Sequence, residues 1–499
     1  MNLTTNQHPR LIQGGMGIAV SNYVLAKTVS QLGHLGIVSG TAINSVLVRR
    51  LQDGDLSGDM RRAMSHFPSQ QIANSILDHY FISGGKPKDQ PYKRAPLFNL
   101  KSGKPVLQLT MVASFVEVYL AKEGHSGKVG INLLEKIAIP NLACMYGALL
   151  ADVDYVIMGA GIPREIPGAL DLLSQNQEAS LRISVDGATA EDFFKTSFNP
   201  AEILGTEYFF PLKRPFFFPI VSSSTLAMSL KKKSTGAVDG FIVEGPLAGG
   251  HNAPPRGPMK LSSLGEPIYG DRDEIDLSEI KALGLPFWMA GYYATPEKIK
   301  AVQEQGAHGV QVGTLFAFCE ESGFDSSLKQ IVIDRILSGD SPENGWVFTD
   351  PVSSPTGFPF KAVRLKETLS EESVYQTRMR ICDLGYLRHA YKTADGQVGQ
   401  RCPAEPVADY LKKGGLESET VGRKCLCNAL MSDIGMAQKQ SDQSFEKPLI
   451  TAGDDLNNLM KILKISKSGK SYRAADVIKY LGFSEKLNDQ NNIRCNDHN

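Results

Sequence analysis

The chain has 499 residues, 42% of them hydrophobic, enough for a sizeable packed core and for more than one domain. Its 53 basic and 53 acidic side chains cancel, so net charge points neither to nucleic acid nor to an acidic membrane surface. No apolar run is long enough to span a membrane. Seven cysteines, and a polar Met1–Arg10 without the apolar core of a secretory leader, argue for a reducing, cytoplasmic setting over a disulfide framework.

In chain order, short apolar runs alternate with amphipathic stretches. The runs are Leu11–Gln13, Gly36–Ser39, Lys128–Leu133, Val153–Met158, Phe217–Ser222, Gly240–Glu244, Pro286–Ala290 and Gly309–Gly313. Each has the length of a strand buried on both faces. Asn22–Gln31, Leu142–Leu150 and Pro296–Gln305 read as helices between them. Repetition of strand and helix implies a parallel sheet, and eight units imply a closed (β/α)8 TIM barrel of the α/β class. A ninth candidate strand, Leu181–Val185, is assigned to an insertion over about 160–210. A second insertion, about 54–103, carries a helical stretch near Ile72–Tyr80. The barrel is expected over 1–345. The pattern changes after about Asn344, with Pro351–Pro359 as a boundary loop and a smaller, mainly helical C-terminal module over 346–499. Helices are expected at Glu371–Ile381 and Ala404–Lys413, and a frayed polar tail from about Ser484.

A barrel builds its active site from the C-terminal ends of its strands. Gly14-Gly15-Met16-Gly17 after the first strand allows backbone to approach a flat ligand closely. Asn132 ends the third strand, where a carboxamide can meet a heterocycle edge. Glu244-Gly245-Pro246-Leu247-Ala248-Gly249-Gly250-His251 follows the sixth and joins a carboxylate, a glycine pair and an imidazole that exchanges protons near neutral pH. Gly291-Tyr292 and Gly313-Thr314 follow the seventh and eighth strands, whose loops commonly form a phosphate cup of backbone N–H groups.

The series GGMG, GINL, EGPLAGGH and AGYYATPEKIKAVQEQGAHGVQVGT resembles the nitronate monooxygenase (2-nitropropane dioxygenase) family, which includes flavin-dependent enoyl-acyl-carrier-protein reductases. The resemblance covers roughly residues 9 to 330. It implies bound FMN, with Gly14, Gly15 and Met16 lining the flavin and Asn132 and Glu244 at its polar edge. Gly249 and Gly250 would pack under it, and Gly291, Tyr292, Gly313 and Thr314 would hold the phosphate. His251 would lie by the ring as catalytic acid or base. The activity implied first is oxidation of alkyl nitronates with O2. NAD(P)H-dependent enoyl-acyl-carrier-protein reduction is the alternative, and a non-catalytic flavin-barrel scaffold for a synthase partner is the third reading. A small-molecule substrate, nitronate or enoyl thioester, is the expected partner. An acyl carrier protein and a second copy of the chain are further candidates, and nucleic acid and membrane are not expected. Three departures border the substrate: Tyr292 replaces a second glycine, Leu247 precedes Ala248, and Asn252–Arg256 (NAPPR) is longer than the family pattern. The last looks closer to reductases that serve polyunsaturated fatty acid and polyketide synthases.

Four cysteines, Cys382, Cys402, Cys425 and Cys427, cluster late in the chain, with Cys144, Cys319 and Cys495 scattered. Thiolates ligate zinc and iron–sulfur clusters. The spacing is not a pair of C-x-x-C knuckles, so ordinary buried thiols outweigh a metal and no metal ligand is assigned. Lys231-Lys232-Lys233 reads as a solvated helix end, Ser222-Ser223-Ser224 lacks a nucleophile elbow, and His34 and His308 read as structural.

Overall fold

The eight apolar runs form eight parallel strands in one circuit: β1 (Leu11–Gln13), β2 (Gly36–Ser39), β3 (Val129–Leu134), β4 (Tyr155–Gly159), β5 (Phe216–Val221), β6 (Phe241–Glu244), β7 (Phe287–Ala290) and β8 (Gly309–Val312). The computed structural model describes residues 8–340 and 345–484. Neighbours in the sheet are neighbours in sequence, and β8 returns to β1 with Leu11 beside Val310. A parallel bridge between Ile12 and Leu35, with the Gln13 N–H on the Leu35 carbonyl at 2.9 Å, closes the barrel. The observed bounds differ from the expected ones by one or two residues, the usual looseness of element ends.

Helices cover the outside because their apolar faces have only the sheet to pack on. Tyr23–Gln31 starts where the Asn22 carboxamide accepts the Leu25 N–H at 2.9 Å. Ala138–Leu150 is buried almost throughout, against the long helix Lys104–Lys122. Pro296–Glu304 has Thr295 as its cap and Pro296 in its first turn.

Leu181–Val185 lies outside the barrel circuit. Ala179–Arg182 pairs antiparallel with Lys195–Phe198, and Val185–Asp186 pairs with His389–Lys392. Residues 54–103 hold two helices, Asp59–Met64 and Gln70–Tyr80. Beyond the barrel, Val347–Asp350 and Phe360–Val363 form an antiparallel pair, and Phe360–Lys361 pairs in turn with Gly250–His251. The helix expected over Glu371–Ile381 is confined to Glu372–Thr377. Arg378 leaves it in extended conformation to make two 2.9 Å bonds to the buried carboxylate of Glu446. The helix expected at Ala404–Lys413 spans Val407–Lys412. Residues 1–7 of the polar start, the boundary near Asn344, Cys495 and the tail beyond Ser484 lie outside the described residues. Among the described residues no helix is long and apolar enough to cross a membrane.

The barrel interior is filled by Ile12, Ile37, Tyr155, Ile157, Phe218, Ile242 and Trp288. Its N-terminal end is plugged: the Trp288 indole N–H donates to the Pro9 carbonyl at 2.9 Å, and His8 meets the Tyr155 hydroxyl at 2.9 Å. Burial, and then the neighbouring His308, lower His8 to about 4, so it is neutral there. The plug leaves the opposite mouth as the open end. Because Trp288 is fully buried, Trp288→Ala should cost about 3–5 kcal/mol, read as a lower denaturant midpoint with flavin binding assayed in parallel.

Candidate functional site

At the open mouth a cavity of about 210 Å³ lies over the strand ends. All twelve residues singled out from the sequence line it: Gly14, Gly15, Met16, Asn132, Glu244, Gly249, Gly250, His251, Gly291, Tyr292, Gly313 and Thr314. Small residues here answer to close packing. A Cβ on Gly15 would stand 2.2 Å from that of Asn132, so the first loop rests directly on the third strand. Tyr292 stands where the resemblance expects glycine and keeps a glycine-like backbone, with φ +72°. That conformation is costly for a tyrosine. The Lys298 ammonium holds it from both sides of the residue, 3.0 Å from its carbonyl and 3.0 Å from the centre of its ring.

His251 is fixed by chain from beyond the barrel. Its backbone pairs with Phe360, and its ring meets that of Phe360 edge-on at 4.9 Å. Its Nε2 is 2.7 Å from the Ser354 hydroxyl, which is 2.8 Å from that of Thr356. Ser354 is fully buried. Burial pushes the imidazole down to about 4, so it is neutral at physiological pH. Glu244 is moved the other way: burial raises its carboxyl to about 7. A second cavity, of about 830 Å³, shares Ala160, Ile220, Glu244 and His251 with the first, and Lys136, Arg164, Arg182 and Arg256 stand in its wall.

Several wall residues carry no signal that reading the barrel motifs can detect. Thr451–Gly453 and Asp455 enter the cavity from far along the chain. Gly453 donates its N–H to the Thr314 hydroxyl at 2.8 Å, and a Cβ on Gly249 would be 2.7 Å from Gly453 N. Asp455 is raised to about 6, first by burial and against the pull of the Ala294 and Tyr292 N–H groups and of Lys298. The carboxylate therefore already meets the seventh-loop backbone that the sequence assigns to a phosphate. Gln311 also lines the cavity, and its buried Oε1 has no hydrogen-bond partner among the described residues. The loop Pro351–Pro359, read from sequence as a boundary, supplies Ser354 and Thr356 to the histidine. Of the motifs set aside, Ser223 caps the helix Ser224–Lys233, and His308 bonds the His8 carbonyl at 2.8 Å.

Glu244 sets a pH test. Its folded value lies above the usual 4.5, so its contribution to stability is full below about 4.5 and is lost as pH rises through about 7. In cofactor-free protein Glu244→Gln should raise Tm at pH 8 and leave it nearly unchanged at pH 4, measured by thermal melts across that range.

No curated protein matches the chain. Among solved structures, FabK from Thermotoga maritima aligns at 14% identity and a TM-score of 0.42, over 95% of this chain and 91% of that one. Nitroalkane oxidase from Streptomyces ansochromogenes aligns at 15% and 0.45, over 96% of both chains. The enoyl reductase domain of MlnA, from the macrolactin biosynthesis cluster of Bacillus amyloliquefaciens, aligns at 10% and 0.47, over 96% and 94%. Residues 209–339, which hold β5 to β8 with Glu244, His251 and both expected phosphate loops, match the family model of nitronate monooxygenase.

Proposed function

We propose that the chain is an FMN-dependent oxidoreductase that oxidises alkyl nitronates with O2. The observation that carries the reading is the gathering of the five strand-end motifs around one cavity with His251 in its wall. The cavity fits the cofactor in three respects. Glycine backbone lets a flat ring approach. The unpartnered Gln311 oxygen suits a ring N–H. The Gly313–Thr314 turn offers backbone donors at a helix start. Asp455 is the discordant neighbour for a phosphate, and Lys298 beside it supplies the opposing charge.

The redox chemistry is that of bound FMN. The protein's part is position and proton management. A neutral His251 can donate a hydrogen bond to a nitro oxygen without burying a charge, or take up a proton at the cost of burying one. Ser354 restricts how the ring turns. Glu244, poised near neutrality, can hold or release a proton in the wall that both cavities share.

A second reading, reduction of an enoyl thioester by NAD(P)H, is favoured by the larger cavity. An alkyl nitronate fills little of about 830 Å³, and guanidinium groups suit the phosphate of a carrier-borne or coenzyme thioester.

Anaerobic stopped-flow absorbance of the purified flavoprotein separates the readings. Bleaching by an alkyl nitronate and not by NADH or NADPH supports the first. Fast bleaching by a nicotinamide moves the assignment to the second. No flavin band after FMN is added removes both. His251→Ala should lower turnover by about 10²–10⁴-fold with flavin retained, and unchanged turnover would release the histidine from its role.

A further inference from the structure

We propose that Cys382, Cys402, Cys425 and Cys427 hold an iron–sulfur cluster beside the cofactor cavity. The four come from three separate places in the fold. Cys382 follows the helix Glu372–Thr377, Cys402 follows the strand Val398–Arg401, and Cys425 and Cys427 flank the start of the helix Leu426–Ser432. All four face one small void, and none is in a disulfide. Each pair among them is close enough for the charge of one sulfur to act on the other.

Buried thiols that serve only as packing need no such company. Here a backbone N–H also lies near each sulfur and favours its thiolate, Gly385 for Cys382, Ala404 for Cys402, Asn428 for Cys425 and Leu387 for Cys427, and the Asn428 side-chain amide donates to Cys425 Sγ at 3.6 Å. Gly385, at φ +64°, lets the chain fold back over Cys382. Hydrogen bonds to sulfur are how proteins hold and tune thiolates on a metal centre. The Arg388 guanidinium lies at the same void and acts on Cys382, a counter-charge for an anionic centre.

The geometry chooses between a single ion and a cluster. A lone zinc needs four sulfurs about 2.3 Å from one point. Among the described residues no three His, Cys, Asp or Glu side chains are arranged to hold a metal ion. A cluster brings its own sulfides and takes thiolates from farther apart than one ion does, which suits four thiols drawn around one void. Leu387, Leu426 and Cys427 line both this void and the cofactor cavity, so the two centres would share a wall.

The test counts iron, zinc and acid-labile sulfide in full-length protein purified anaerobically without a metal-binding tag. A second portion is reconstituted with ferrous iron and sulfide, and both are examined by EPR after dithionite reduction. The expected result is about two to four irons per chain with matching sulfide, and a signal distinct from a flavin radical. Cys402→Ser and Cys425→Ser should each remove more than half of the iron, while Cys144→Ser, on the helix Ala138–Leu150, leaves it unchanged. Should the serine variants fail to fold, the iron and sulfide of the unaltered chain still decide. No iron after reconstitution, zinc without sulfide, or full iron in folded Cys402→Ser and Cys425→Ser would each overturn the proposal.

Discussion

The mouth of this barrel depends on the contact of two backbones. Gly249, after the sixth strand, lies so close to Ala452 and Gly453 that a single methyl group between them would stand 2.7 Å from main-chain atoms. From that contact the rest follows. Gly453 reaches the Thr314 hydroxyl, Asp455 reaches the seventh loop, and the next residues after Gly249, Gly250 and His251, extend into a strand that Phe360 completes. The sheet supplies positions, and the chain beyond it supplies the other half of the walls.

Burial then sorts the titratable groups. The same dry environment pushes an imidazole down and a carboxyl up, leaving His251 neutral and Glu244 near half-ionised at physiological pH. Both groups are thereby moved toward their neutral forms, which places Glu244 in the range where a site exchanges protons.

Most of the barrel was legible because its strands are apolar on both faces and its turns carry glycine, so periodicity and punctuation agree. All eight strands, and the site residues on them, could be read this way. The rest was illegible for physical reasons. Thr451–Gly453 and Asp455 reach the cavity, and Ser354 reaches His251, by tertiary contact, and neither a TAGDD nor a PVSSPTGFP segment carries a pattern that says what it will touch. Tyr292 hid a glycine-like turn under a bulky side chain, since sequence shows the residue and not its φ. The helix at Glu371–Ile381 was overread because its period continues past the point where Arg378 is drawn to Glu446.

The link between Thr314 and Gly453 spans 139 residues. Closing so long a loop costs conformational entropy and forms late in folding. The strands can therefore assemble before the wall exists. A nascent chain halted before residue 453 would carry every motif visible on the barrel and still lack one edge of the cavity at its mouth. A finished cavity would then mark completion of the chain, rather than of the barrel.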